Sequence, residues 1–257
     1  MFARKSLVAS KTIISQEIRK TKQVWLQVLC PTVLSTLLYF IVFGHLMGLH
    51  TKIIQHLSYL EFIAPGLIMM AMIIAAYDAS VSTVFLSRYN KSIEEILISS
   101  MSVRNITSSL MIAGMLRGLL IGFIVFIVSL FFINISVKNI ILVLTVSILS
   151  TLLFSLIGII TGIYIKGFDR IGIIPLFIIR PLSYLGGLFY PLTSLPVFWY
   201  KIAIVNPLAY LIDGYRQIFF YKPTIAAFEL IIYLLLFICL LYSMAYSLIK
   251  CKKNFSH

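Results

Sequence analysis

IILVLTVSILSTLLFSLIGIITGIYI, residues 140–165, runs without one charged side chain. As a helix rising 1.5 Å per residue it covers about 39 Å, more than the ~30 Å hydrocarbon core of a bilayer. The run is apolar on every face, whereas the strands of a spanning barrel alternate in polarity at every second residue. In lipid a lone segment must satisfy its own backbone hydrogen bonds, and a helix is the way to do so.

The same ruler finds five more stretches: Val24–Met47, Leu60–Leu86, Leu110–Ile133, Ile171–Tyr190 and Ile225–Ile249. The chain is 61% hydrophobic and 11% charged, with a mean hydropathy of +1.05. Soluble domains carry roughly 25% charged residues, so little here is left for a water-facing domain. The expected architecture is an all-α polytopic membrane protein forming a single domain over residues 1–257, with six transmembrane helices. No short apolar region with a small-residue cleavage site precedes the first span, so no signal peptide is expected. Cys30 and Cys239 lie inside spans and Cys251 in the basic tail, which leaves them as isolated thiols instead of a disulfide framework.

Cations set the orientation. On one side of the predicted spans lie Arg4, Lys5, Lys11, Arg19, Lys20, Lys22, Arg88, Lys91, Arg104, Lys166, Arg170, Lys250, Lys252 and Lys253. On the other lie only Lys52, Lys138, Lys201, Arg216 and Lys222. The positive-inside rule then puts both termini in the cytoplasm. These cations flank spans and form no single patch, so the net charge of +13 is assigned to membrane orientation and contact with lipid, not to nucleic acid.

The loops carry the functional signals. In residues 1–23, Leu7, Val8, Ile14 and Ile18 recur at helical spacing among Lys and Arg, the pattern of an amphipathic helix lying on the inner leaflet or of a docking surface. Between the second and third spans Ile93, Ile96 and Leu97 share one face of a short helix, with Glu94 and Glu95 beside it; a solvated turn is the alternative. Residues from Gly186 to Pro223 are too apolar for a solvated loop and are broken by Pro191, Pro196, Pro207 and Pro223. Asn206 before Pro207 reads as an N-cap with proline in the first helical position. Two short helices forming a re-entrant hairpin, about residues 191–222, are expected between the fifth and sixth spans. Its aromatics, among them Phe189, Tyr190, Phe198, Trp199, Tyr200, Tyr210, Tyr215, Phe219, Phe220 and Tyr221, suit an interfacial belt or a stacking platform for sugars or lipid tails.

Ionisable groups inside spans are costly and are candidates for function. Asp78 lies eight residues from Leu86 and Arg117 seven from Leu110, so on antiparallel helices both sit about 11–12 Å from the cytoplasmic end and can pair. Arg180 sits nine residues into the fifth span, next to Pro181. An arginine there either lines a path that favours anionic substrates or has a structural partner. Gly114, Gly118 and Gly122, and likewise Gly158 and Gly162, recur at four-residue spacing and are expected to allow close helix packing within one subunit. His45, His50 and His56 with Glu61 share no helix face, so no metal site is expected.

Arg180 to Leu192 reads RPLSYLGGLFYPL, Leu195-Pro196 follows, and Asn206 to Arg216 reads NPLAYLIDGYR. This run resembles the C-terminal signature of ABC-2 type transport permeases. Phe43-Gly44 with Leu46-Met47-Gly48, then Ala64-Pro65-Gly66-Leu67-Ile68, then Ile93-Glu94-Glu95-Ile96-Leu97 are similar to the same family in the same order. The spacing is nearest to its bacterial inner-membrane permeases, and the likeness covers essentially the whole chain. The resemblance implies a homodimeric exporter in the inner membrane that works with two copies of a separate ATPase subunit. It places Glu94 and Glu95 on a coupling helix that meets the ATPase, and makes the loop with Lys166, Asp169 and Arg170 a second contact. In that pattern Pro191, Pro196, Asn206, Pro207, Asp213 and Arg216 belong to the hairpin. The family usually has a small or apolar residue where Arg180 stands, so no role is inherited there. The sequence carries no G-x-x-x-x-G-K-[S/T] phosphate cradle, so no cofactor is expected in this chain, and ATP and Mg belong to the partner. The alternative function is a motor-independent secondary transporter or lipid-modifying enzyme using Asp78 and Arg117.

Overall fold

The computed structural model describes residues 25–48, 57–91, 102–133, 137–220 and 225–255, together with Ser15, Arg19, Thr21 and Gln23. Most of the expected N-terminal interfacial helix, and the whole expected coupling helix from Ile93 to Leu97 with Glu94 and Glu95, lie outside the described residues. So do the side chains of His45, His50 and His56.

Among the described residues the α-helices run in the order α1 (Trp25–Gly48), α2 (Tyr59–Tyr89), α3 (Val103–Leu130), α4 (Ile140–Tyr164), α5 (Arg180–Leu185), α6 (Val197–Val205), α7 (Pro207–Phe220) and α8 (Ile225–Phe255). Five of these, α1, α2, α3, α4 and α8, are long and apolar enough to cross a membrane. Ser58 and Glu61 start α2 with a reciprocal capping box, the Ser58 hydroxyl accepting from the Glu61 amide and the Glu61 carboxylate accepting from the Ser58 amide at 2.8 Å. Glu61, weighed above beside three histidines, is occupied in closing that box. Ser102 starts α3 by accepting from the Asn105 amide.

α2 is the centre of the bundle: 78% of its most apolar stretch is buried, against 11% for α1 and 17% for α8. It runs antiparallel to α3 and parallel to α4, and glycines on both neighbours permit the approach. A Cβ on Gly118 would stand 2.8 Å from the Met72 carbonyl oxygen, and one on Gly158 would stand 2.6 Å from that of Tyr77. The glycine spacing therefore serves packing inside one chain, as the sequence suggested. The peripheral helices expose what α2 hides. Leu34, Leu38 and Ile41 on α1, and Ile232, Leu236, Phe237 and Leu240 on α8, form apolar faces larger than a water-facing monomer tolerates, and lipid suits them.

The expected fifth span differs. Residues 171–190 do not form one helix; they turn at Ile171-Gly172, coil through a π-turn at Pro175–Ile179, continue as α5, and leave helical conformation at Gly186. The continuous helical part, residues 173–185, is about 20 Å long and falls short of the ~30 Å core. Pro175 and Pro181 each withhold a backbone donor, which accounts for the widened turn. Gly187, at φ +79°, then reverses the chain in a conformation that costs a side-chain-bearing residue more. α8 also runs on to Phe255, beyond the expected boundary at Ile249, since no proline or glycine interrupts it.

The hairpin helices α6 and α7 meet at Asn206, as its N-cap character suggested. The Asn206 side-chain oxygen accepts from the Leu208 amide at 3.0 Å, and its nitrogen donates to the Leu182 carbonyl at 2.6 Å, which ties the hairpin to α5. Pro191 and Pro196 hold extended backbone ahead of a short 3-10 turn and of α6, respectively. Arg216 fastens α7 to α2. Its side chain is 3% exposed and lies 3.7 Å over the Phe62 ring. Nε donates to the Phe62 carbonyl at 2.9 Å, Nη2 to the Gly187 carbonyl at 2.8 Å, and Nη1 pairs with Asp213 at 3.2 Å. Gln217 donates to the other Asp213 oxygen at 2.9 Å. Arg216, counted above as a loop cation, is thus an internal fastening. The hairpin aromatics also divide. Tyr215, Phe219 and Phe220 are in the core, while Phe198, Trp199, Tyr200 and Tyr210 face outward.

Arg216→Lys keeps the charge but not the rigid fork that reaches two carbonyls at once. We expect a stability loss of about 2 kcal/mol, the scale of a hydrogen bond to a charged group. It is read as a lower melting temperature of the detergent-purified protein, with Arg170→Lys, at an exposed position, as the unaffected control. Equal melting of wild type and Arg216→Lys would remove the fastening role.

Candidate functional site

The three ionisable residues singled out inside spans share one cavity. It has a volume of about 310 Å³, lies between α1, α2, α3 and α5, and is lined by Asp78, Arg117 and Arg180. Asp78 faces it from α2 and Arg117 from the antiparallel α3, as their matched depths in the sequence implied. The helices overrun the apolar stretches, however. Asp78 is eleven residues from the end of α2 and Arg117 fourteen from the start of α3, or about 16 and 21 Å along their helices. Arg180, at the junction of the π-turn and α5, is solvent-accessible where it meets the cavity. Asp78 lies within electrostatic reach of Arg117 first and of Arg180 second.

The α1 wall is polar in an otherwise apolar helix. Thr32, Ser35, Thr36 and Tyr39 all line the cavity, and the lining extends from Gln27 to Tyr39, about 18 Å of helix. Thr32 and Thr36 donate back to the carbonyls of Val28 and Thr32 at 3.0 and 2.8 Å, so they turn lone pairs toward the cavity. Tyr39 and Tyr184 place their hydroxyls 3.4 Å apart between α1 and α5. Beyond them Phe43, Tyr59 and Phe189 pack ring against ring, and Tyr59 donates to the Phe189 carbonyl at 3.0 Å. This aromatic cluster separates the cavity from the hairpin end of the bundle. The α1 hydroxyls were not singled out from the sequence, although their recurrence at 32, 35, 36 and 39 on one helical face is a readable signal.

At the other end of the bundle α2 and α4 are joined. Arg88 donates through Nη1 to the carbonyls of Gly162 and Ile165, both at 3.0 Å, and so caps the C-terminus of α4 with a cation. The following turn, Phe168–Arg170, inserts the Phe168 ring against Phe85 at 4.8 Å and Tyr89 at 5.0 Å. Lys166, Asp169 and Arg170 are exposed there, beside the end of α2 from which the chain continues to Ile93 and Glu94. Arg88 was read from the sequence only as a flanking cation. Nothing in the local sequence names carbonyls 74 and 77 residues away as its partners.

The cavity groups are a carboxylate, two guanidiniums and several hydroxyls, a set able to pair with charge and exchange hydrogen bonds. Residues 9–220 match the model of the family described as ABC-2 type transporter. The inner membrane transport permease YadH of Escherichia coli K12 is 38% identical over 246 residues, covering 95% of this chain and 95% of the relative. YadH of Shigella flexneri matches to the same extent. A family match over most of the chain, with near full-length identity at this level, means that the chain belongs to the ABC-2 type transporter family.

Proposed function

We propose that this chain is the permease subunit of an ATP-driven exporter. Two copies pair, each engages one of two separate ATPase subunits, and together they move a hydrophobic, lipid-like, drug-like or glycan substrate out of the cytoplasm or the inner leaflet of a bacterial inner membrane. The family membership supports the permease role, and the missing phosphate cradle leaves ATP and Mg to the partner. Both termini are cytoplasmic, because Arg88, Arg104, Lys166 and Arg170 gather at one end of the bundle. α6 and α7 form the re-entrant hairpin of the outer leaflet, and the broken segment of residues 173–185 with the turn after it completes the sixth crossing. Non-helical backbone at that depth is tolerable because Arg216 and Asn206 satisfy the carbonyls of Gly187 and Leu182.

The observation that carries the mechanism is the joint at the cytoplasmic end. Residues Ile93, Glu94, Glu95, Ile96 and Leu97 meet the ATPase as a coupling helix, and Lys166, Asp169 and Arg170 make the second contact. A push on either loop reaches α2 and α4 together, since Arg88 grips the end of α4 and Phe168 is wedged against α2. α2 is a single helix about 46 Å long, gripped at its far end by Arg216. Closure of the ATPase pair therefore moves the floor of the cavity and the hairpin above it as one body. Asp78, Arg117 and Arg180 line the path between.

Replacing both Glu94 and Glu95 with Lys reverses the charge of the coupling helix. The ATPase that co-purifies with the wild-type chain is expected to fall at least tenfold in yield while the melting temperature stays unchanged. Undiminished co-purification, with undiminished hydrolysis, would sink the assignment.

Orientation has its own test. In a chain with Cys30, Cys239 and Cys251 replaced by Ser, single cysteines at Lys52 and Lys138 are expected to react with a membrane-impermeant maleimide added to intact cells. One at Arg104 is expected to react only after lysis. The opposite labelling pattern would invert the topology.

A further inference from the structure

The cavity beside α2 has one wall that accepts hydrogen bonds, and this restricts what can fill it. Thr32 and Thr36 both line it, and each spends its hydroxyl proton on a carbonyl of α1, at 3.0 and 2.8 Å. Their oxygens therefore meet the cavity as acceptors. Asp78 adds a carboxylate, which has about four acceptor positions and keeps some for an occupant even while it faces a guanidinium. Ser35, beside the threonines on the same wall, adds a hydroxyl of either sense. Donors stand nearby. Arg180 is exposed where it meets the cavity, and a guanidinium carries five N–H groups. The Tyr39 and Tyr184 hydroxyls, 3.4 Å apart, have two protons for one shared contact, which leaves the second to donate elsewhere.

A phosphate diester or a carboxylate brings acceptors only and would set oxygen against oxygen along α1. An ammonium brings donors only and would face Arg180. A hydroxyl donates and accepts at one atom, so a group bearing several of them answers both sets. The shape of the lining narrows the choice. Thr32 and Thr36 lie four residues apart, about 6 Å along α1, a distance matched by hydroxyls on opposite sides of a six-membered sugar ring. Leu67, Met70 and Ile74 of α2 present an apolar wall to the same space. A sugar ring has this mixed character, with hydroxyls around its edge and C–H groups on its faces. The volume of about 310 Å³ is at the lower end of the range for small-molecule sites, ~300–1,000 Å³, and suits a single glycosyl residue better than an oligosaccharide. We propose, resting on the exporter reading above, that this cavity binds a glycosyl group. Thr32, Thr36 and Asp78 accept from its hydroxyls, and Arg180 and the tyrosine pair donate to its oxygens.

The test is a binding measurement on the purified permease without ATPase, in a polyoxyethylene detergent that carries no sugar, read by native mass spectrometry. The probes are monoglucosyl diacylglycerol and free glucose, with phosphatidic acid as an anionic lipid that lacks alcohol hydroxyls. Thr32→Val with Thr36→Val keeps the side-chain shape and removes both acceptors. Sugar binding is expected to weaken about tenfold, the scale of two neutral hydrogen bonds, while phosphatidic acid binding and the melting temperature stay unchanged. Thr145→Val, which removes a similarly back-bonded hydroxyl from α4, is expected to bind like wild type. Should the valine pair not fold, Ser35→Ala, at an exposed position, carries the test with an expected loss of about threefold. Glucose that displaces the glucolipid at equal concentration assigns the ring to a soluble sugar, and glucose that fails to displace it assigns the ring to a lipid. Failure of both probes to bind, or sugar binding indifferent to the valine pair and to Ser35→Ala, overturns the site. So does phosphatidic acid binding that falls together with sugar binding at an unchanged melting temperature, which makes it an anion site. With no ATPase present, failure here leaves the coupling reading to its own test.

Discussion

A guanidinium taken out of solvent holds the hairpin end of this protein together. Arg216 reaches from α7 to a carbonyl on α2 and to another in the turn after α5, and rests on the Phe62 ring. Each hydrogen bond to a charged group contributes about 1.5–3 kcal/mol, and a desolvated cation–π contact about 2 kcal/mol. The energy matters less than what is left without it. The Gly186–Pro191 segment is non-helical, and a backbone carbonyl left unsatisfied in an apolar medium is costly. Arg216 turns an irregular segment into a permissible one, and Asp213 and Gln217 keep it aimed.

α2 links that fastening to the opposite end. Its burial follows from small side chains on its neighbours, where glycine lets α3 and α4 come against it. Close packing makes such a helix a rigid member: a displaced α2 has few ways to deform locally, so it moves whole. Arg88 and Phe168 tie α4 to α2 through a cation at a helix C-terminus and a contact of aromatic rings. The charged cavity lies alongside this member, between it and the less buried α1. Movement of α2 relative to α1 is thus movement of Asp78 relative to the hydroxyl-bearing wall.

Much was legible in the sequence wherever a property depends on the number and kind of residues in a row. Apolar length identified five helices able to cross a bilayer, and the Asn206-Pro207 pair located the start of α7. The glycine spacing foretold internal packing, and the positions of Asp78 and Arg117 on antiparallel helices foretold that they would lie near each other. The motif order alone points to the ABC-2 family. The fifth apolar stretch is broken where its hydropathy predicts one unbroken helix, because hydropathy sums side chains and ignores backbone donors. Pro175 and Pro181 were present in the sequence, but their effect on helix length depends on what the freed carbonyls meet.

What only tertiary structure decided is the pairing of groups distant along the chain. Arg216 was a loop cation until Phe62 and Gly187 were seen beneath it, and Arg88 was a topology marker until it closed α4. Tyr215, Phe219 and Phe220 look like belt aromatics in a string of letters, yet they fill the core because α7 lays one face against α2 and α4. Arg180 joined Asp78 and Arg117 through a break in a helix, which no periodicity announces. Composition fixes which solvent each segment prefers, since transfer energies belong to single residues. Partners belong to pairs, and the geometry that brings a pair together exists only once the helices have packed.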